Sequence, residues 1–149
     1  MESATNRRDT ARAMSEENVE IVRRVYEAVA RRDTAAVLAA YAPDVEWDFS
    51  GSTWGDLTGR PVYRGHEDLR AFYREWYEAW GRYDESVEEL IGAGEHVVVV
   101  ATGRGRGRVS GAEVGWTQYG VWTIQEGKIT RVVWFGTREA ALEAAGLSE

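Results

Sequence analysis

The chain has 149 residues, with 18 Lys and Arg against 25 Asp and Glu, a formal net charge of −7. It holds seven Trp, seven Tyr, three Phe and no Cys. That length suits one domain with a real hydrophobic core, the missing Cys excludes disulfides and thiolate chemistry, and the acidity argues against nucleic acid or an anionic membrane as a partner.

Residues 1–13 are polar and unpatterned, which predicts a disordered N-terminal arm ahead of one domain spanning 14–149. They lack the apolar stretch of a secretory leader, which points to the cytoplasm. Ser15 reads as a helix cap, and Val19, Val22, Val25, Tyr26 and Val29 then recur at helical spacing, so a helix is expected over 16–31. Asp33 caps a short helix that Pro43 ends. Residues 45–49 alternate apolar and acidic, a half-buried strand, and 50–65 is a loop by composition. A helix starts near His66 and presents Leu69, Phe72, Tyr73, Trp76 and Trp80 on one face before Gly81. Four strands follow, at about 83–92, 95–106, 113–125 and 128–135, then a last helix over 138–145. The longest apolar run, 97–101, is far shorter than a membrane-spanning helix needs. The order predicts an α+β domain, a mostly antiparallel sheet with helices on one face.

Period-two alternation assigns strand faces. The inward sets are Trp116, Gln118, Gly120, Trp122 and Ile124; then Thr130, Val132 and Trp134; then Val97, Val99, Ala101, Gly103 and Gly105. Small residues beside large aromatics let a sheet bend round a cavity.

The stretches NVEIVRRVYEAVARRD, AAVLAAYAPDVEWDFS, VYRGHEDLRAFY, GVWTIQEGKITRV and REAALEAAGL, in this order and spacing, resemble SnoaL-like proteins of the nuclear transport factor 2-like superfamily, relatives of ketosteroid isomerase and the polyketide cyclases. The resemblance implies a cone of three helices against a strongly curved sheet, a pocket at its open end, and a homodimer formed through the sheet. It also implies a carboxylate base near the end of the first strand, where Asp48 stands, although strict alternation turns Asp48 outward. A phenol on the first helix falls near Tyr26. The second acid of the isomerases falls near Tyr119 or Gly120, where there is no carboxylate. Epoxide hydrolase chemistry is disfavoured, because the strands 95–106 and 116–124 carry no Asp.

The expected catalytic residues are therefore Asp48 as base and Tyr26 as donor to a developing oxyanion. Gln118 is the candidate polar group inside a pocket walled by Trp47, Phe49, Trp76, Trp116, Trp122 and Trp134. Tyr63 and His66 are added as ligand contacts. His66 and His96 share no ligand spacing, so no metal site is expected. The run Arg104, Arg106, Arg108 reads as an outward basic edge. With no Gly-rich phosphate loop, no cofactor is expected. The expected function is binding of a small hydrophobic, cyclic molecule, with cofactor-free proton transfer of the isomerase, cyclase or dehydratase type. The alternative is a non-catalytic ligand-binding or dimerisation domain.

Overall fold

The computed structural model describes residues 4–52 and 60–147, with side chains from residue 12 onward. Part of the expected loop, Trp54 included, therefore lies outside the described residues.

The first helix, α1, spans Ala4–Ala30, starting well before the expected residue 16. Residues 4–13, expected as a disordered arm, are helical: they are rich in Ala and Arg and hold no Gly or Pro to stop the helix. Ser15 is thus not a cap, and its hydroxyl instead accepts from the Gly94 N–H at 3.2 Å. Helix α2, Thr34–Ala39, is capped by Asp33, which accepts from the Ala36 N–H. Strand β1, Tyr41–Gly51, is longer than expected and contains Pro43. The β1 register breaks between Tyr41 and Glu46, so the proline's missing N–H falls where no regular ladder requires it. Strand β2, Val62–Arg64, lies inside the stretch read as loop; three residues are too few to show a period. It pairs with β1 from Glu46 to Asp48. Helix α3 is Gly65–Ala79. Strands β3, Trp80–Ala93, β4, His96–Gly107, β5, Glu113–Gln125, and β6, Lys128–Phe135, precede helix α4, Arg138–Ala144.

The strands form one six-stranded sheet in the order β2-β1-β6-β5-β4-β3, in which only the β1–β6 pair is parallel. The main core lies between this curled sheet and α1, α2 and α3, and includes Val22, Leu69, Val99 and Trp122. Helix α4 packs on the opposite face, where Ala141 and Leu142 meet Val98 and Val121. The helices are thus not all on one face. The Arg138 guanidinium, bidentate on Glu89 at 2.8 and 2.9 Å, ties the start of α4 to β3.

Two bulges decide which side chains face the core. In β6 the register jumps from Ile124↔Ile129 to Thr123↔Arg131. Thr130 is the extra residue, so Ile129 rather than the expected Thr130 is fully buried, while Val132 and Trp134 are inward as expected. In β3 the jump from Val87↔Ala101 to Glu89↔Val100 makes Glu88 the extra residue. Below it Tyr83, Glu85 and Val87 alternate inward; above it Leu90 joins the main core while Ile91 turns towards α4.

Candidate functional site

Between α1, α3 and the concave face lies a narrow pocket, with a cavity volume of about 40 Å³. Helix α1 contributes Val25, Tyr26 and Val29, and α3 contributes Phe72, Tyr73 and Trp76. The sheet contributes Trp47 and Phe49 from β1, Gln118 and Trp122 from β5, and Trp134 from β6. The rings brace one another: Trp47 meets Trp134 edge-on at 5.8 Å, and Phe49 stacks on Trp134 at 5.8 Å.

The remaining lining residue is Glu85 of β3, the one charged side chain in the wall among the described residues. Burial among these rings pushes its carboxyl up to about 7. No cation or hydrogen-bond donor meets it among the described residues. Around the same space, Tyr26 Oη, Trp122 Nε1 and Trp134 Nε1 are buried and find no hydrogen-bond partner in the protein. Buried polar atoms are nearly always paired, so these unpaired ones are an uncommon feature of the wall. Burial, and next the Glu85 charge, raise the Tyr26 hydroxyl well above the usual phenol range, so it stays protonated and can donate.

A profile of the SnoaL-like domain matches residues 22–132. The chain belongs to the SnoaL-like family. Solved structures agree. An NTF2-like protein of unknown function from Burkholderia pseudomallei K96243 is 29% identical, covering 85% of this chain and 95% of that one, with a TM-score of 0.71. TerC, co-crystallised with polyporic acid, is 25% identical, covering 87% of this chain and 98% of that one, with a TM-score of 0.70. An NTF2-like protein from Burkholderia xenovorans LB400 is 26% identical, covering 87% and 96%, with a TM-score of 0.67. No curated protein matches the chain.

In this SnoaL-like domain the expected site residues separate into two groups. Tyr26, Trp47, Phe49, Trp76, Gln118, Trp122 and Trp134 come together round the pocket. Asp48 does not join them, because it points to the outer side of β1. Its carboxylate accepts from the Ser50 N–H at 2.8 Å and lies 3.8 Å from the Arg131 guanidinium. Partial burial works against it, yet the Ser50 hydrogen bonds and the Arg131 charge hold its pKa below the usual carboxylate value. Asp48 is therefore an outer-face ion-pair residue, not a pocket base. His66 also stays out: its Nε2 donates to the Tyr41 carbonyl at 2.9 Å, fastening the start of α3 to β1. Tyr63 is core, behind Phe49 and Phe72. Trp116 lies one layer beyond the lining, against Trp76.

Glu85 is the residue that the sequence reading missed. Its signal was present, since Tyr83, Glu85 and Val87 alternate with Arg82, Asp84, Ser86 and Glu88. A glutamate among so many charges reads as solvent-facing unless the same period-two rule is applied to that strand as to its neighbours. Among the described residues no helix is long and apolar enough to cross a membrane.

Proposed function

We propose that this domain binds a small, apolar, cyclic molecule in its aromatic pocket, and that Glu85 moves a proton on it without a cofactor, in an isomerase, cyclase or dehydratase type of reaction. The observation that carries this reading is the Glu85 carboxylate, unpaired inside a wall of aromatic rings. A carboxyl held near pH 7 is divided between acid and base at neutral pH, so it can take a proton from carbon and return it elsewhere on the same molecule. Tyr26, kept protonated, donates to the ligand oxygen on which negative charge grows. The Gln118 amide, on the same wall, orients a carbonyl or hydroxyl. The surrounding rings exclude water and strengthen both interactions. The likeness to TerC, which was co-crystallised with polyporic acid, supports small-molecule binding. Two copies associate, on the same proposal, through the outer face of the sheet, where Tyr119, Val133 and Phe135 stay partly exposed beside α4.

The test is a tryptophan-fluorescence screen of neutral cyclic ketones and phenols, followed by NMR detection of deuterium exchange next to the carbonyl of each ketone that binds. Binding with exchange that disappears in Glu85→Gln is the expected result. Binding without exchange favours the non-catalytic ligand carrier, and a flat fluorescence response overturns the reading altogether.

A further inference from the structure

Three indoles fill the end of the concave face where β3 and β5 begin and β4 ends. Trp76 of α3, Trp80 of β3 and Trp116 of β5 lie 5.2–5.5 Å apart, centroid to centroid. All three are half-buried. Trp116 rests on Gly103 of β4 and Trp80 on Gly105. A Cβ added to Gly103 would collide with the Trp116 ring at Cε2, and one added to Gly105 would come 2.7 Å from Trp80 Cε3. Only glycine at both positions lets the rings lie flat on the strand. Aromatic rings over strand glycines stiffen a sheet anywhere. Here the arrangement also bears on the pocket, because Trp76 lines it with one part of its ring and meets Trp116 edge-on with another.

Along the concave face β4 reads Val99, Ala101, Gly103, Gly105, losing side-chain volume step by step towards this end. The strand itself leaves a hollow there, and Trp116 and Trp80 occupy it. From this geometry we infer that the Trp80–Trp116 pair, seated on Gly103 and Gly105, is a plug that sets the length of the pocket, and that Trp116 determines the size of ring system the site accepts. The inference rests on the proposed binding role of the pocket. With the plug in place the site favours a compact ligand; with Trp116 removed, the space continues past Trp76 to Gly103.

Trp116→Ala tests this through its crystal structure and through the binding of two neutral fluorescent phenols, 2-naphthol with two rings and 1-hydroxypyrene with four. The expected structure shows one continuous space from Gln118 to Gly103. The expected affinity for 1-hydroxypyrene rises about tenfold over the unaltered protein, from the added apolar contact, while that for 2-naphthol stays within about threefold. Gly103→Ala, which pushes the Trp116 ring aside without deleting it, carries the same expectation should Trp116→Ala fail to fold. If Trp76 or Trp80 collapses onto Gly103 and the pocket keeps its length, the inference is overturned. An unchanged ratio of the two affinities overturns it as well. If the pocket lengthens but neither phenol binds either protein, the plug stands and the binding role proposed above fails.

Discussion

Tyr26 on α1 and Glu85 on β3 face one another's field across the same pocket. Burial first, and the Glu85 carboxylate second, raise the Tyr26 hydroxyl well above the usual phenol range. The pair forms from opposite layers of the fold: a helix that packs on the sheet and an outer strand whose lower half points inward until the bulge at Glu88.

Glu85 makes stability pH-dependent with a definite sign. Its carboxyl is raised from 4.5 to about 7, so within that window the folded protein holds a proton that the unfolded chain has released. Stability therefore falls as pH rises through the window and is lowest above about pH 7, by up to roughly 3 kcal/mol from this one group. Glu85→Gln removes the partly buried charge, and it should flatten that stretch of the pH curve and stabilise the protein most at pH 8. Urea unfolding of both proteins at pH 5 and pH 8 measures this. Parallel curves would show that Glu85 is solvated in the folded state.

Tyr26→Phe separates binding from folding. The Tyr26 hydroxyl is buried without a protein partner, so deleting it leaves no neighbour unsatisfied. Stability should stay level or rise by up to about 1 kcal/mol. Affinity for a cyclic ketone found in the fluorescence screen should fall about tenfold, from the loss of one ligand hydrogen bond in a dry site. A variant that unfolds earlier, with affinity intact, would make Tyr26 a packing residue only.

These residues also show what the sequence makes legible. Wherever a long run keeps one period, as in 97–101 or in Trp116, Gln118 and Trp122, the inward face follows from alternation alone. Thr130 and Ile129 break the rule because a bulge is a property of two paired strands, and the chain does not announce which neighbour slips. The row Ala101, Gly103, Gly105 correctly points to missing volume on the concave face. Whether that volume stays open depends on rings arriving from β3 and β5, and Trp80 and Trp116 fill it. Residues 4–13 lack an apolar stripe, so periodicity is silent there while helix propensity is not.

Asp48→Asn is the complementary test of position. The side chain lies outside the pocket, with Ser50 and Arg131 as its partners. Its loss should leave ligand binding and any proton exchange unchanged and lower stability by about 1 kcal/mol or less, since ion pairs in contact with water contribute little. Because its pKa is lowered in the folded state, that small contribution is present above its unfolded value and disappears as pH falls through the folded one. A large loss of exchange activity in Asp48→Asn would return the base to β1.

Asn18 holds α1 to the sheet at the end away from the Trp80–Trp116 plug. It is the one buried polar residue among those described, and its Nδ2 donates to the Gly94 carbonyl at 3.1 Å. One turn earlier on α1, Ser15 Oγ accepts from the Gly94 N–H at 3.2 Å, so both backbone groups of Gly94 are held by one helix. Gly94 has φ +64 in the turn joining β3 to β4. Asn18→Ala should cost about 1 kcal/mol, because it leaves the Gly94 carbonyl without its donor at a partly buried contact. Ser15→Ala should cost less, and the double variant less than the sum, since the two bonds hold the same turn. Urea unfolding gives the three values, and hydrogen exchange at the Gly94 amide reports the turn directly. If Asn18→Ala unfolds at the same urea concentration as the unaltered protein, α1 is held by its apolar face alone.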